Sequence, residues 1–445
     1  MTKQVNIDSD EDPTLPHLRI YDDRSILYEK DGRRLQVFRE GSQTREAQKR
    51  ADYIRKRFTE GFLDSVIKRC KEGKVDFERI SDDHKEMLKK LVDAITSEVG
   101  RAIVGLAILQ MATKAIEPKQ SVRLHKSGRG SFSWAEGVPM RVLDSGFVTP
   151  FLRKENLLKV NKYGVMMTRS LAENYPYTKF YKAAIRGAKR EWTELVDLLE
   201  ANKIDAKTAL EYSLCLLIKR SKQFQDLATE VVDLARKKSA AVKNLEQVLT
   251  LLIKHMANPG LPAARLLEVG MHSLMQAIKT LGGLGALELR TLSQMRQANK
   301  KAGNIADIEL TQADAIAEAW DAKYGKPYLY DELLELHDKL SQEQFPELRI
   351  VGFVTETKPD LRDDVTDKMT ELQEEFEVKI VILRLQEWVT LQASRFKTTE
   401  REKLAKLWLV AYAESLALRR PLMAPIDEPT ETWLQALKEL LSKTS

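Results

Sequence analysis

The sequence predicts a mixed α/β fold, with a helix-rich N-terminal region followed by a C-terminal α/β core. Over most of the first 258 residues, apolar side chains recur at spacings of three and four, which is typical of amphipathic helices. After residue 262, segments with strand patterns alternate with segments with helix patterns. The last two predicted strands, "LRIVGFVTE" and "VKIVILRL", are nearly continuous apolar runs, as expected for a sheet covered on both faces.

Length and composition favour a folded chain with more than one core. The chain has 445 residues, of which 43% are hydrophobic and 31% are charged, and these values are typical of soluble globular proteins. We predict an N-terminal arm, possible hairpin and helical region over 1–120, a basic helical region over 121–258, an α/β core over 259–398 and a helical tail over 399–445. The helix-breaking segment "NPGLP" at 258–262 is the strongest signal of a domain boundary.

The N-terminal elements follow from local patterns. The first 20 residues are predicted to be a disordered or loosely docked arm. The segment "SILYEKDGRRLQVFRE" predicts two strands joined by an Asp-Gly turn. From Thr44 to about Thr113 the apolar spacing predicts helices, and Ser81 with the following aspartates is a plausible helix start.

The middle of the chain is strongly basic. Between Ser121 and Arg190 there are 14 Lys and Arg residues against 4 Asp and Glu, although the whole chain carries a net charge of only +6. Aromatic residues are interleaved with the bases in "VNKYGVMMTRSLAENYPYTKFYKAAIRGAKREW". Such a mixture suits phosphate neutralisation with base stacking. The alternative is a helix that packs its aromatic rings inward and points its bases at water.

Two sets of residues are candidate DNA contacts. Lys182, Arg186, Lys189 and Arg190 follow helical spacing and are predicted to line one face of a helix. Asn299, Lys300 and Lys301 lie beside a glycine just before a predicted hairpin, where they could hold a phosphate. A plain basic turn is the alternative for the second set.

The C-terminal core contains a hairpin with an unusual charge pattern. The order predicted after Pro262 is α-β-β-α-β-α-β, and "IADIEL" and "AIAEAWDAKYG" are the first two strands. Asp307 lies near the end of the first strand, while Asp321 and Lys323 share a face of the second. Two carboxylates of this kind can hold Mg²⁺, or Mn²⁺ in its place, and a lysine can neutralise charge on a phosphate.

This arrangement resembles the PD-(D/E)xK nuclease superfamily over roughly Pro262 to Trp388. The resemblance places the acidic strand residue at Asp307, the second acid at Asp321 and the lysine at Lys323. It also implies a further metal ligand on the leading helix, where Glu268 stands. Ala306 occupies the position of the proline in the motif's name. The segments "MTRSLAENYPYTKFYKAAIRGAKREW", "ANKKAGNIADIEL" and "EAWDAKYGK" are similar to the SacI-type restriction endonuclease group.

Other polar residues compete for a role in this site. Glu309 shares a face with Asp307 and is a further candidate ligand, whereas Glu318 lies on the face opposite Asp321 and is predicted to be structural. Glu356 and Lys358 form a second ExK pattern, which is predicted to be a polar strand end. His272 lies one turn after Glu268 and is predicted to be a packed or exposed residue.

Several other classes of protein are disfavoured. The sequence contains no GxxxxGK[ST], GxSxG or HExxH motif. No signal peptide or membrane span is predicted, and Cys70 and Cys215 are expected to be reduced core thiols, so a cytoplasmic location is expected.

The resemblance therefore implies an Mg²⁺-dependent DNA endonuclease of a restriction or phage-defence system, with a PD-(D/E)xK-like core and a helix-rich DNA-binding region. Its partners would be double-stranded DNA and either a second copy of the chain, in a homodimer, or a protein of a defence system. The alternatives are a structure-specific repair nuclease of the same fold and a non-catalytic nucleic-acid-binding subunit.

Overall fold

A computed structural model gives the fold of the chain. It describes residues 15–29, 33–95, 98–127, 132–158, 160–185, 187–292, 304–342, 345–417 and 431–443. The chain divides into two compact units, Met1–Lys222 and Gln223–Ser445. Helices occur in both units and the second contains a mixed five-stranded sheet, which confirms the predicted mixed α/β and helical class.

The first unit begins with a small antiparallel sheet. Strands β1 (His17–Ile20), β2 (Arg24–Tyr28) and β3 (Arg34–Arg39) pair in sequence order. The antiparallel pairing of β2 with β3 confirms the two predicted strands, and the Asp-Gly turn predicted between them lies outside the described residues. The prediction of a loose arm over the first 20 residues is wrong for β1. Leu18 is the reason, because it packs with Leu27 and Phe38 in one apolar cluster.

The helices of the first unit enclose a separate core. They are α1 (Arg45–Thr59), α2 (Phe62–Lys71), α3 (Asp82–Asp93), α4 (Glu98–Ile116), α5 (Met140–Leu143), α6 (Thr149–Lys154), α7 (Lys189–Glu200) and α8 (Ala206–Ser239). A π-helical turn, Asp144–Val148, connects α5 to α6. Helix α4 is apolar on all sides and lies in the middle of the core, which is typical of a fully buried helix.

The basic aromatic stretch does not form the predicted helix. Between α6 and α7 the chain makes two short 3₁₀ turns, Val165–Met167 and Arg169–Leu171, and is otherwise irregular up to Lys189 in the part that the structure describes. Glycine and proline interrupt the helical pattern at Gly164, Pro176 and Gly187. The helix predicted from the spacing of these residues is therefore wrong for the described residues before α7.

Helix α8 has 34 residues and continues from the first unit into the second. The division between the units falls inside this helix, whereas the predicted boundary at 258–262 lies in the connection between α9 (Leu245–Met256) and α10 (Ala263–Thr280). A continuous helix has no glycine or proline to mark a boundary, so composition gave no signal at the division.

The second unit contains the mixed sheet, in the order β4-β5-β6-β7-β8. Its strands are β4 (Glu288–Leu289), β5 (Ile308–Gln312), β6 (Ala315–Lys323), β7 (Ile350–Thr355) and β8 (Lys379–Arg384). Strands β4, β5 and β6 are antiparallel, and β6, β7 and β8 are parallel. The remaining helices are α11 (Tyr330–Gln342), α12 (Asp363–Phe376), α13 (Leu385–Ala393), α14 (Arg401–Leu416) and α15 (Glu431–Lys443). The predicted order is confirmed, with β4 added before the hairpin.

The β5–β6 hairpin closes through a tight turn. Ala313 and Asp314 have φ values of 49° and 69°, and positive φ at both central residues matches the twist of two antiparallel strands. Ile308 pairs with Trp320, so the next position of this register sets Asp307 opposite Asp321. The turn therefore determines which acidic residues meet.

Apolar side chains cover both faces of the sheet. On one face, Leu310 and Trp320 belong to a core formed with α10, α13 and α14. On the other face, Ala319 and Phe353 pack with residues of α11 and α12. Burial on both faces explains why the parallel strands have continuous apolar sequences.

We expect Gly352→Ala to destabilise the second unit, because a methyl group on this residue of β7 would lie 2.2 Å from Cζ3 of Trp320 on β6. Both partners are buried in the sheet, so the clash requires a shift of the indole, at a free-energy cost of about 1–3 kcal/mol. Urea denaturation measures the loss. Gly146→Ala is the control because a methyl group there meets no atom within 4 Å. Equal stability of the two variants would contradict the packing.

Candidate active site

The four residues predicted as catalytic come from three neighbouring elements of the second unit. Glu268 lies on α10, Asp307 immediately precedes β5, and Asp321 and Lys323 lie on β6. Helix α10 contacts both strands, so all four side chains originate around one end of the hairpin.

Asp307 and Asp321 form the centre of the cluster. Oδ2 of Asp307 accepts a hydrogen bond from the backbone N–H of Ala322 at 3.1 Å, and the strand register sets Asp307 opposite Asp321. Burial, together with the negative charges of Asp321 and Glu268, raises the pKa of Asp307 well above its usual range. The neighbouring negative charges therefore favour the protonated form of Asp307 unless a cation binds beside it.

Glu268 reaches the same cluster from the helix. Its pKa is raised by burial, and the nearby Asp321 raises it further, although Arg265 and Lys323 act in the opposite direction. Glu268 is ion-paired with Arg265, one turn earlier on α10. The glutamate is therefore near the aspartates but held by its own helix.

Lys323 is fixed between two acids. Its Nζ lies 2.9 Å from Oδ2 of Asp321 and 2.6 Å from Oε2 of Glu332. Burial lowers the pKa of Lys323, but the two carboxylates outweigh burial and the net pKa is raised. The ammonium group is therefore charged at neutral pH, which makes it a fixed cation and not a general base.

Glu332 is a member of the cluster that the sequence did not reveal. It lies in the first turn of α11 and pairs with Lys326 at 2.7 Å as well as with Lys323. An acid in the first turn of a helix is common, because it complements the helix dipole, so Glu332 carried no distinct signal. The signal in the sequence that could have indicated its role is the pair of lysines a few residues earlier, Lys323 and Lys326, whose charge is opposite to that of Glu332.

The competing acids are engaged elsewhere. Glu309 accepts hydrogen bonds from Nη1 of Arg290 at 2.8 Å and from the backbone N–H of Ile305 at 2.7 Å. It therefore orders the chain just before Asp307. Glu318 is paired with Arg395 at 2.7 Å, as expected for a structural residue. Glu356 accepts a hydrogen bond from the backbone N–H of Gly325 at 2.9 Å.

His272 is a packed residue, in line with its prediction. Nε2 hydrogen-bonds the carbonyl oxygen of Arg290 at 2.8 Å, and Nδ1 lies 3.0 Å from the side-chain nitrogen of Gln276. Burial lowers the pKa of His272 to about 4, so the ring is neutral at physiological pH. Both ring nitrogens are occupied, which leaves none for a metal ion.

The predicted DNA contacts in the first unit are separated by the structure. Lys182 lies in the irregular segment and Arg190 in α7, and both are exposed, while Arg186 lies outside the described residues. Lys189 is partly buried, and its Nζ donates to the carbonyl oxygens of Tyr181 and Ala183. The prediction that these residues line one helix face is wrong, because α7 begins only at Lys189. Asn299, Lys300 and Lys301 also lie outside the described residues.

The aromatic residues of this stretch pack mainly inward. Tyr177, Tyr181 and Trp192 are fully buried and contact one another through their rings. These three side chains are therefore inaccessible to nucleic-acid bases. Tyr163 differs, since 61% of its surface is exposed and Nζ of Lys162 lies over its ring. Lys179, one of the bases interleaved with the aromatic residues in the sequence, is exposed, and so are Lys162 and Arg169, for which the sequence made no prediction.

A separate group of metal-type ligands lies on the surface of the second unit. One ligand atom from each of His337, Glu371 and Glu375 falls within 4.8 Å of the others. Nε2 of His337 is 3.1 Å from Oε2 of Glu375, and Glu371 is also paired with Lys368. This group belongs to the outer side of α11 and α12 and includes none of the predicted site residues.

Comparison with known proteins supplies no family for the chain: a scan against protein-family models and a search of curated proteins both gave no match. Among the described residues, no helix combines the length and apolar character that crossing a membrane requires.

The donor types at the hairpin are those that suit a divalent cation. Asp307, Asp321 and Glu268 offer carboxylate oxygens, the ligands that Mg²⁺ and Mn²⁺ prefer. The raised pKa of Asp307 supports this fit, since a bound cation would relieve the repulsion that favours its protonated form. Asp307 and Asp321 are the residues whose carboxylates would hold the ion. Glu268 is paired with Arg265, and among the described residues the three-residue group whose ligand atoms all lie within 4.8 Å of one another is His337, Glu371 and Glu375, so Glu268 would have to move to become a third ligand.

Proposed function

We propose that this protein is a metal-dependent DNA endonuclease with its active site at the β5–β6 hairpin. The observation that carries the proposal is the pair of adjacent carboxyl groups, Asp307 and Asp321, beside a lysine that is held charged by Asp321 and Glu332. Metal-dependent hydrolysis of a phosphodiester uses both parts: oxygen ligands for a divalent ion and a fixed cation for the phosphate.

Each residue has a distinct role in this reaction. Mg²⁺, or Mn²⁺ in its place, would be held by Asp307, Asp321 and Glu268, and when bound it polarises the phosphate and lowers the pKa of a water molecule. Lys323 places its positive charge where negative charge develops on the phosphate oxygens. Glu332 positions Lys323 through the 2.6 Å contact, so the ammonium group is already oriented before substrate binds.

Charge in the first unit supports double-stranded DNA as the substrate. Five exposed cations lie within 30 residues of sequence: Lys162, Arg169, Lys179, Lys182 and Arg190. Neutralising phosphates with such side chains supplies affinity that is largely independent of sequence. We propose a restriction or phage-defence role, acting as a homodimer or with a partner protein in a cytoplasmic defence system, because one active site per chain cuts one strand.

We expect Lys182→Ala with Arg190→Ala to weaken DNA binding and to flatten its salt dependence. Both side chains are exposed, and each lost phosphate contact lowers the log–log salt slope by about 0.9, so the double variant should lose up to about two units. Titration of a labelled duplex at several salt concentrations in Ca²⁺ measures the slope.

Lys189→Ala is the matched control for this binding experiment. Its ammonium group already donates to two backbone carbonyl groups, so its loss should lower protein stability and leave the slope unchanged. A double variant with the wild-type slope and affinity would show that DNA is bound by other residues.

One digest tests the proposed function against its alternatives. Purified protein is incubated with plasmid and phage DNA in Mg²⁺, and the ends of the products are sequenced. Discrete fragments with a common end sequence support a restriction enzyme. A smear, or cutting confined to branched or damaged DNA, supports a structure-specific repair nuclease of the same fold. Absence of any metal-dependent nicking would contradict both enzymes and favour a non-catalytic nucleic-acid-binding subunit.

A further inference from the structure

The two cysteines of the chain meet in the first unit. They are 145 positions apart in the sequence, with Cys70 on α2 and Cys215 on α8. Cys70 is buried, whereas Cys215 is partly exposed. Neither residue belongs to the site at the β5–β6 hairpin.

Contacts between α2 and α8 hold the two thiols side by side. Sγ of Cys70 donates to the carbonyl oxygen of Glu211 at 3.5 Å, and Cys215 lies one helical turn after Glu211 on the same face of α8. Nε of Arg69 pairs with the carboxylate of Glu211 at 3.1 Å, which fixes the two helices in this register. Cys215 also packs against the apolar cluster that contains Cys70.

We propose that Cys70 and Cys215 form a site of oxidative modification, at which hydrogen peroxide converts the two thiols into an intramolecular disulfide. The geometry supplies the main requirement, because Sγ of Cys70 lies 3.5 Å from the carbonyl oxygen one helical turn before Cys215, so the two thiols can bond with little movement of the backbone. In a reducing compartment such a bond is transient, so the modification is reversible by thiols.

The two cysteines have different parts in the reaction. The neighbouring thiol of Cys70 lowers the pKa of Cys215, despite partial burial and the nearby Glu211, while the thiol of Cys215 and burial raise the pKa of Cys70. Cys215 is therefore the more readily ionised and the more accessible thiol, and these two properties govern reaction with peroxide.

The steps balance with peroxide as the oxidant. The thiolate of Cys215 attacks one oxygen of hydrogen peroxide, the O–O bond breaks, and water leaves once the departing hydroxide takes up the thiol's proton. The product is a sulfenic acid on Cys215. The sulfur of Cys70 then attacks that of Cys215, the S–OH bond breaks, and a second water forms from the hydroxyl group and the proton of Cys70. Two thiols are oxidised and one peroxide is reduced.

The disulfide would stabilise the first unit. It closes a loop from α2 to α8 that contains most of this unit, and long closed loops restrict the unfolded chain most strongly. We expect oxidation to raise the melting temperature of the unit by about 5–10 °C.

The test uses the wild-type full-length protein treated with a small molar excess of hydrogen peroxide. We expect loss of both free thiols, a tryptic peptide that links Cys70 to Cys215 under non-reducing conditions, and return of both thiols with dithiothreitol. Sulfinic acid on Cys215 with Cys70 still free, or a disulfide found only between two chains, would overturn the proposal.

Two serine variants test the assigned order of attack. Cys70→Ser should accumulate a sulfenic acid on Cys215 that dimedone captures, because no second thiol is in reach. Cys215→Ser should leave Cys70 reduced at the same dose, and neither variant should show the rise in melting temperature. Equal oxidation of the single cysteine in both variants would show that Cys215 is not the attacking thiol.

Discussion

Asp307→Asn is expected to abolish Mg²⁺-dependent cleavage and, at the same time, to stabilise the metal-free protein. An amide is a poor ligand for a divalent ion, and losing several kcal/mol of charge stabilisation in the transition state corresponds to at least about 10³-fold in rate. The amide oxygen can still accept the hydrogen bond from the N–H of Ala322, and the amide nitrogen can donate to Asp321. The gain from that bond is about 1–3 kcal/mol.

The pH dependence of this effect follows from the raised pKa of Asp307. The folded protein holds the proton more tightly than the unfolded chain does, so the carboxyl group lowers the stability of the metal-free protein as pH rises from about 4 through the raised pKa. Asparagine does not ionise. The stability difference between variant and wild type should therefore be present at pH 8 and vanish near pH 3.

Denaturation in EDTA at these two pH values, together with a plasmid cleavage assay, measures both effects. Glu356→Ala is the control. Glu356 accepts a hydrogen bond from the backbone N–H of Gly325 and contacts none of the proposed catalytic residues among the described hydrogen bonds, so its loss should leave cleavage near the wild-type rate. A folded Asp307→Asn variant that cuts DNA at the wild-type rate would exclude Asp307 from the active site.

Lys323→Ala is expected to lower the cleavage rate by about 10²–10³-fold without weakening the binding of the divalent ion. The range is that found when one preorganised group that stabilises transition-state charge is removed. Asp321 would lose its 2.9 Å ion pair with Lys323 and become fully available to the ion. Single-turnover cleavage at saturating Mg²⁺ separates this effect from a loss of metal affinity.

Lys326→Ala provides a matched control for the lysine variant. Lys326 contacts the same carboxylate as Lys323, that of Glu332, at 2.7 Å. Its side chain is exposed, however, and the ion pairs described for it include no aspartate. Its loss should change the rate by no more than a few fold. Equal losses in the two lysine variants would show that the lysines act by supporting α11, and that Lys323 has no separate role at the phosphate.

The sequence was sufficient to predict the hairpin and its charged residues, because strand alternation and a short turn leave few choices of register. Asp321 and Lys323 lie two positions apart on β6, so their side chains share one face of the strand. The turn at Ala313 and Asp314 pairs β5 with β6 and sets Asp307 directly across from Asp321. The helices and strands after Pro262 were predictable for the same reason, since long periodic segments carry most of the signal.

Other features depend on tertiary contacts that leave no local pattern. The spacing of Lys182, Lys189 and Arg190 is helical, yet interrupting residues and the burial of Tyr177 and Tyr181 set the backbone before α7. The contact between Glu332 and Lys323 joins α11 to β6, and the position of this helix against the strand is set by tertiary packing. The pairing of Cys70 with Cys215 was equally invisible, because no motif connects positions so far apart.

The most direct test of the account is nicking of supercoiled plasmid by the wild-type protein and by Asp321→Ala, purified in parallel and compared by circular dichroism. Asp321 is buried, lies opposite Asp307 and is paired with Lys323, so it connects the proposed metal ligands to the fixed cation. We predict nicking by the wild type that depends on Mg²⁺ and is abolished by EDTA, and none above background by the variant. Equal nicking by the two proteins, or activity of the wild type in EDTA, would contradict a metal-dependent active site at this hairpin.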